Sequence, residues 1–229
     1  MPDSSPRQTF WSSLDPPARE SLLRGCRIRR YRSGEHLCYQ GEPPDHVLVL
    51  REGWVKVWKT DEDGHECVIA VRGPGDLIGE AGLLTETDRT ATVTALHGVT
   101  ALSVPRGRFN GFLNEHPGAW PKVFGSLSRR LNQSDERIMA LGGRFGAARL
   151  AVFMLRLAAD SGQVRPDGGV RIPPLSQAEL GSCVDSSRET VARALREWRE
   201  LGFVETGWRR TTILDPEGLR AHAETYEGS

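Results

Sequence analysis

The chain has 229 residues, a length typical of one large domain or two modest ones, each able to bury a core of its own. Hydrophobic residues make up 38% and charged residues 26%, which excludes a disordered or fibrous chain. The 30 basic side chains balance the 30 acidic ones, so any binding of nucleic acid must depend on a local positively charged surface. No stretch is apolar and long enough for a membrane span, and the N-terminus lacks the pattern of a signal peptide, so we expect a cytoplasmic protein with no membrane partner.

Short apolar runs separated by turn residues fill the chain from Gly34 to about Arg106. The runs are VLVL, WVKVW, CVIAV, ATVTAL and ALSV, and they recur at intervals of roughly ten residues. This spacing predicts an antiparallel β-domain. Because the edges of such sheets must be closed or stacked, we expect a jelly roll, also called a double-stranded β-helix, or a similar barrel. We place this domain at residues 20–116, after an N-terminal segment at residues 1–19.

Beyond Pro105 the pattern becomes helical, with one helix predicted from Arg108 to His116 and a longer one from Pro117 to about Leu141. Residues on one face of the longer helix are spaced alternately four and three apart, as in a coiled coil. These residues, which we call the seam, are Trp120, Phe124, Leu127, Leu131, Ser134, Ile138 and Leu141. The seam predicts a parallel homodimer. The alternative is a single amphipathic helix that packs on its own domain.

Polar residues interrupt the apolar seam of the long helix, and two glycines end the helix. Ser134, followed by Asp135, places polar atoms in the seam, where they need a partner such as a bound ligand or a contact that sets the register. Gly142-Gly143 ends the helix and predicts a hinge. We therefore place a dimerisation helix and its hinge at residues 117–143.

The remaining residues, 144–229, predict a separate domain that contains two helices joined by a short turn. A helix over Phe145–Ala159 and an extended segment over Val170–Pro173 come first. The segments Ser176–Glu179 and Ser186–Glu189 then both have the spacing of a capping box, which marks the starts of the two further helices.

The turn between these helices and the segments after them complete a winged helix-turn-helix. Asp185 in the turn suits a left-handed backbone conformation. Two extended runs around Gly207, Phe203–Thr206 and Thr211–Leu214, predict a hairpin. The whole chain is therefore expected to be an α+β protein, with a jelly roll, a long dimerisation helix and a winged helix-turn-helix.

The second helix of this pair has a charged outer face. Its inward stripe is predicted to be Val191, Leu195, Trp198 and Leu201, which leaves outward Arg188, Glu189, Arg193 and Arg196. Arginine can bind guanine through two hydrogen bonds and glutamate can accept one from cytosine, so this face is suited to contact base edges. Ser176, Gln177 and the helix N-termini would contact phosphates. The alternative is that these charges belong to ordinary solvated helix surface.

A glycine-rich turn in the β-domain has the chemistry of a phosphate site. Gly79, Glu80 and Ala81 allow close backbone approach, and Arg89-Thr90 follows shortly after. The carboxylate of Glu80 suits a partner that carries hydroxyl groups, such as a ribose. The alternative is a structural turn with an arginine–glutamate ion pair.

These two regions resemble a known family. The stretch GDLIGEAGLL…DRTATVTA resembles the phosphate-binding cassette of bacterial cyclic-nucleotide receptor domains, and LSQAELGSCVDSSRETVARALREWRELGFVE resembles the helix-turn-helix of the CRP/FNR transcription regulators. The resemblance extends from about Arg27 to Leu214. It implies a homodimeric, sequence-specific DNA-binding transcription regulator under allosteric control by a cyclic nucleotide. We do not expect an enzyme, because no nucleophile–base pair or carboxylate pair stands out in the sequence.

The resemblance also implies roles for individual residues. Glu80 would bind the ribose hydroxyl, Arg89 the cyclic phosphate with help from Thr90, and Ser134-Asp135 the base. We expect cAMP rather than cGMP, although an aspartate could accept from the adenine amine or from guanine N1–H and N2–H₂. The implied DNA contacts, to palindromic GTGA-type half-sites, come from Ser176, Gln177, Ser187, Arg188, Glu189, Thr190, Arg193 and, in the wing, Arg209. RNA polymerase is the further implied partner.

Two other functions stay open at this point. One is a constitutive DNA-binding regulator with no nucleotide ligand. The other is a redox or metal sensor, because His36-x-Cys38 and His65-x-Cys67 each place two potential ligands on one strand face. We expect no metal, with both cysteines in the core and exposed histidines beside them.

Overall fold

The computed structural model describes residues 8–60, 64, 66–141 and 146–226, with residues 136–141 described by their backbone alone. The chain divides into two compact units, Gln8–Gln133 and the residues from Ser134 onward. Helices and strands are mixed in both units, as the predicted α+β class requires.

Two four-stranded antiparallel sheets form the body of the N-terminal unit, in the orders β1-β8-β3-β6 and β2-β7-β4-β5. Every apolar run named above overlaps one of these strands. The strand at Arg27–Tyr31 lies before the predicted start at Gly34, and the pattern did not predict it because its sequence, RIRRY, contains no apolar run. The strands are β1 (Arg27–Tyr31), β2 (His36–Cys38), β3 (His46–Glu52), β4 (Val55–Thr60), β5 (Glu66–Arg72), β6 (Leu77–Ile78), β7 (Thr92–Ala95) and β8 (Val99–Pro105).

Strand β3 shows how the first sheet is buried on both faces. Leu48 and Leu50 lie in the cluster between the two sheets, with Val55, Val93 and Ala101. The alternate residues of β3 lie in a second cluster on the opposite face of the sheet, against helices. Because successive side chains of a strand point to opposite faces, the continuous run Val47–Leu50 serves both cores.

The helices of the N-terminal unit cover that second face. Phe10 and Leu14 are buried in its cluster with Phe109 and Phe112, so the chain from Phe10 onward is part of this core. The two predicted helices after Pro105 are present, joined by a short 3-10 turn over Pro117–Ala119. The helices are α1 (Phe10–Ser13), α2 (Pro16–Leu23), α3 (Glu80–Thr85), α4 (Arg106–Glu115) and α5 (Trp120–Leu141).

The seam of α5 has two kinds of residue. Trp120 and Leu127 pack against the helical cluster of their own unit. Phe124 and Leu131 are 59% and 63% exposed. The helix therefore packs on its own domain and also presents apolar side chains outward. The seam positions beyond Ser134 and the predicted hinge Gly142-Gly143 lie outside the residues whose side chains are described.

The C-terminal unit is a winged helix-turn-helix. Helix α6 packs against α8 and α9, and α7 packs against α8. A four-stranded sheet in the order β11-β12-β10-β9 contains the wing hairpin. The elements are α6 (Gly146–Ser161), β9 (Gln163–Val164), β10 (Val170–Arg171), α7 (Gln177–Cys183), α8 (Arg188–Glu200), β11 (Val204–Gly207), β12 (Arg210–Ile213) and α9 (Pro216–Thr225).

The turn between α7 and α8 confirms one predicted cap and corrects the other. The capping box of Ser176 with Glu179 is present. At α8 the cap is Ser187, whose side chain accepts from the Thr190 N–H, so the predicted box from Ser186 is wrong. Ser186 belongs to the turn, because its N–H donates to the Gly181 carbonyl at 3.0 Å. Asp185 has the predicted left-handed conformation, with φ 49°.

Candidate functional site

The turn from Gly79 into α3 brings backbone and an arginine into close contact. Gly79 has φ +83°, and a Cβ built on it would lie 1.8 Å from Arg89 Nη1. Only glycine combines this conformation with this approach. Glu80 and Ala81 follow Gly79 as the first residues of α3.

Arg89 is buried, with 6% of its surface exposed. Its Nη1 donates to the Gly79 carbonyl at 3.1 Å and its Nη2 donates to the His46 carbonyl at 2.6 Å. Asp45 Oδ1 lies 3.8 Å from Arg89 Nη2. Burial raises the pKa of Asp45, but its hydrogen bond to His46 and the charge of Arg89 outweigh burial, so this pKa is below its usual value. A guanidinium has five N–H donors, so these two bonds orient Arg89 without using its capacity for an anion. The neighbouring Thr90 is exposed.

Glu80 is fully buried, and one of its carboxylate oxygens is satisfied by Arg130 of α5. Arg130 also donates to the Leu77 carbonyl. The other oxygen, Oε2, has no hydrogen-bond partner among the described residues. A buried carboxylate oxygen without a donor is costly, so this atom is suited to accept from a ligand.

Arg130 is a site residue that the sequence analysis missed, and it replaces Arg89 as the ion-pair partner of Glu80. The only signal in the sequence was its position one helical turn before Ser134. Ser134 and Asp135, the positions expected to contact a base, are both exposed on α5 and belong to the C-terminal unit.

Helix α8 presents the charged face that the sequence predicted. Arg188, Glu189, Arg193 and Arg196 are exposed, whereas Val191, Leu195 and Trp198 are buried. Leu201 is 49% exposed, so its assignment to the inward stripe is wrong. It is the C-cap residue, one position beyond the last residue of the helix, Glu200.

The predicted phosphate contacts lie at the starts of α7 and α8. Ser176 and Ser187 each cap a helix by accepting a backbone N–H. A serine hydroxyl that accepts in this way keeps its own proton to donate. Gln177 is exposed in the first turn of α7, and Thr190 is half-buried with its hydroxyl 3.1 Å from that of Ser187.

Arg209 lies at the tip of the wing. Trp208 and Arg209 form the two-residue loop between β11 and β12, and Arg209 has φ 47°. Its Nη2 donates to Glu179 Oε2 at 2.8 Å, which connects the wing to the start of α7. Trp208 beside it is 91% exposed.

Comparison with known proteins identifies both units. Residues 28–116 match the family described as "Cyclic nucleotide-binding domain", and residues 148–222 match the "Crp-like helix-turn-helix domain". The cAMP-activated global transcriptional regulator CRP of Salmonella typhimurium is 30% identical over 181 residues, which cover 79% of this chain and 86% of that protein. The chain belongs to the CRP/FNR family of transcription regulators.

Other relatives of this regulator agree. A CRP-like cAMP-activated global transcriptional regulator of Mycobacterium tuberculosis is 27% identical over 218 residues, which cover 95% of this chain and 97% of the relative. The crystal structure of a CRP/FNR-family regulator from Thermus thermophilus superposes with a TM-score of 0.69 at 25% identity, covering 87% of this chain and 100% of the other. FixK2 from Bradyrhizobium japonicum shares the fold, with a TM-score of 0.73, 20% identity and 89% and 98% coverage.

The cysteine and histidine pairs of this regulator are placed differently from one another. Cys38 is buried and His36 Nδ1 lies 2.8 Å from Thr94 Oγ1. Cys67 is exposed on β5, so its assignment to the core is wrong, and His65 lies outside the described residues. In the described part of the chain no three His, Cys, Asp or Glu side chains cluster as metal ligands.

None of the helices in that part is both long and apolar enough to cross a membrane.

Proposed function

We propose that this regulator is a homodimer that binds specific DNA sites under the control of a cyclic nucleotide, with cAMP favoured over cGMP and no catalytic role. The observation that carries the ligand proposal is the fully buried Glu80, whose Oε2 has no partner among the described residues, beside the Gly79–Arg89 contact. The descriptions of the relatives as cAMP-activated support the choice of nucleotide.

The chemistry of the cassette fits a cyclic nucleotide. Glu80 Oε2 would accept a hydrogen bond from the ribose hydroxyl, which would satisfy a buried oxygen. Arg89 would pair with the cyclic phosphate, assisted by the exposed Thr90 and by the backbone at Gly79 and Ala81. We assign the base-contacting role to Ser134 and Asp135 on the family resemblance.

The DNA proposal rests on the exposed face of α8. Arg188 and Arg193 would bind guanines and Glu189 would accept from cytosine, which matches palindromic GTGA-type half-sites. Ser176, Gln177, Ser187, Thr190 and Arg209 would contact the sugar-phosphate backbone and fix the orientation. RNA polymerase is the protein partner that this role implies, and binding to chromosomal DNA implies a cytoplasmic protein.

The dimer proposal rests on Phe124 and Leu131, seam residues that stay largely exposed within one protomer. Pairing with the same face of a second copy would bury both in a parallel coiled coil. Two helix-turn-helix units would then reach half-sites about one turn of DNA apart, roughly 34 Å.

Control by ligand would act through α5. This helix carries Arg130, which contacts Glu80, and the exposed seam residues. A nucleotide bound at Glu80 Oε2 would share this carboxylate with Arg130, which holds Oε1, so it would favour the arrangement of α5 in which Arg130 keeps that contact. Such a differential contact shifts a population between two states, which is what allosteric control requires.

Calorimetric titration with cAMP and cGMP tests this function. We expect binding by the unchanged chain, tighter for cAMP, and loss of binding in Arg89→Ala. Arg27→Ala, which removes an exposed arginine of the same unit, is the control and should bind as the unchanged chain does. Absence of heat with either nucleotide would contradict the ligand proposal and favour a constitutive DNA-binding regulator.

A further inference from the structure

Arg72, the last residue of β5, lies on the face of its strand that points to the cluster between the two sheets of the N-terminal unit. It pairs directly with Val55 of β4, which pairs directly with Ala95 of β7. Directly opposed residues of antiparallel strands share a face. Val55 and Ala95 both belong to the apolar cluster between the two sheets. An arginine therefore stands at the end of a row of apolar side chains.

The guanidinium of Arg72 reaches from this face to α5. Its Nη1 donates to the Val71 carbonyl at 3.0 Å and to Gln133 Oε1 at 3.4 Å. A guanidinium at such a place needs hydrogen-bond acceptors to offset the loss of water. The Gln133 contact is long and therefore a weak hydrogen bond, and it shows that the guanidinium is directed toward α5.

Two contacts to α5 thus follow each other along one side of the helix. Arg130 contacts Glu80, and Gln133, three residues later, contacts Arg72. Residues three apart are neighbours on a helix surface, separated by about 4.5 Å along its axis. The next residue after Gln133 is Ser134, the position that the family resemblance assigns to the base. If Glu80 holds the ribose and Ser134 contacts the base, as proposed above, Arg72 would lie toward the base end of the nucleotide.

We propose that Arg72 is a specificity-determining residue that donates hydrogen bonds to the base of the bound nucleotide. The proposal rests on the proposed function of the cassette. Guanine presents two acceptors, O6 and N7, on the edge that a guanidinium fits, whereas adenine presents one acceptor and one donor there. Arg72 thus strengthens the binding of cGMP but not of cAMP, and it narrows the preference for cAMP that the relatives suggest.

The test is the ratio of the cGMP and cAMP dissociation constants in Arg72→Leu and Arg72→Lys. In Arg72→Leu we expect cGMP to bind at least about fivefold more weakly while cAMP binding is unchanged, because one bidentate contact to guanine discriminates by that much or more. Arg72→Lys keeps the charge without the planar fork, so it should weaken cGMP binding in the same direction by less. Arg27→Leu, the same substitution on the exposed β1, should leave the ratio unchanged.

The outcomes distinguish a failure of the proposed role of Arg72 from a failure of nucleotide binding by the cassette. If the unchanged chain binds neither nucleotide, both proposals are overturned. If binding is present and lost in Arg89→Ala, but Arg72→Leu and Arg72→Lys change cGMP and cAMP binding equally, only the role of Arg72 is overturned. Thermal melting identifies a misfolded variant, and where Arg72→Leu does not fold, the ratio in Arg72→Lys decides.

Discussion

Arg209 Nη2 donates a hydrogen bond to Glu179 Oε2 over 2.8 Å, which connects the tip of the wing to the first turn of α7. Glu179 also closes the capping box of that helix by accepting from the Ser176 N–H. One carboxylate therefore fixes both the start of α7 and the position of Arg209. The wing arginine is held beside the helix N-terminus that we propose to contact phosphates.

Arg209→Ala should weaken DNA binding equally on specific and random sequences. A phosphate contact carries no sequence information, and removing one reduces the slope of log affinity against log salt by about 1. Fluorescence anisotropy over a range of salt concentrations measures both effects. A loss confined to the specific sequence would contradict the assignment of Arg209 to the backbone.

Arg188→Ala should weaken binding to the specific site by roughly 1–3 kcal/mol and relax the requirement for the matching guanine. Its side chain is exposed at the first position of α8, where a recognition helix contacts base edges. Anisotropy with the specific site, a site with that guanine replaced, and random DNA separates the effects. Arg220→Ala, an exposed arginine of α9, is the matched control and should change none of them. Equal losses on all three DNAs would exclude base contact by Arg188.

The elements of this fold that the sequence predicted are those encoded by local patterns. Ser176 and Glu179 form their capping box because both groups lie within one helical turn, so their spacing alone determines the contact. Val191, Leu195 and Trp198 are buried because helical periodicity places them on one face.

The residues that were missed or misplaced depend on contacts between distant segments. Arg130 meets Glu80, 50 residues away, only because the packed sheet brings α3 and α5 together. Ser186 does not form the predicted capping box with Glu189, because the Ser186 N–H that would donate to this glutamate donates to the Gly181 carbonyl in the turn. Gly181 permits this contact, since a Cβ there would lie 2.5 Å from the Ser186 carbonyl oxygen.

Gly79→Ala should abolish or strongly weaken nucleotide binding. The added Cβ would lie 1.8 Å from Arg89 Nη1, so the guanidinium must leave its position. Loss of a hydrogen bond to a charged group costs about 1.5–3 kcal/mol, which corresponds to a loss of affinity of about tenfold or more in calorimetry. Gly34→Ala is the matched control, because Gly34 has the same φ of +83° and, apart from its chain neighbours, no atom of the described residues lies within 4 Å of its Cβ position. Similar losses in both variants would show that backbone strain, and not displacement of Arg89, is responsible.

Leu131→Asp should convert the proposed dimer to a monomer. Leu131 is 63% exposed within one protomer, and in a paired seam it would be buried against the second copy. A charge in an apolar interface is destabilising by several kcal/mol, so the dimer dissociation constant should rise at least about 100-fold. Analytical ultracentrifugation measures this. Asn132→Asp adds the same charge at the next, exposed position and should leave the dimer intact. A dimer that persists in Leu131→Asp would contradict pairing through the seam.

Tyr226 makes the stability of the C-terminal unit depend on alkaline pH. Burial, followed by a hydrogen bond to Glu197, raises the pKa of Tyr226 from its ordinary 10 to about 12. Since the folded state keeps the phenol proton that the unfolded state loses first, this stabilisation is complete below pH 10 and disappears as the pH rises through 12. Phenylalanine cannot ionise, so the melting temperature of Tyr226→Phe, measured by circular dichroism, should fall less over this pH range than that of the unchanged chain. Glu197→Gln removes the charge that holds the proton and should move the loss to lower pH. Identical pH profiles for the unchanged chain and Tyr226→Phe would show that this phenol does not govern the transition.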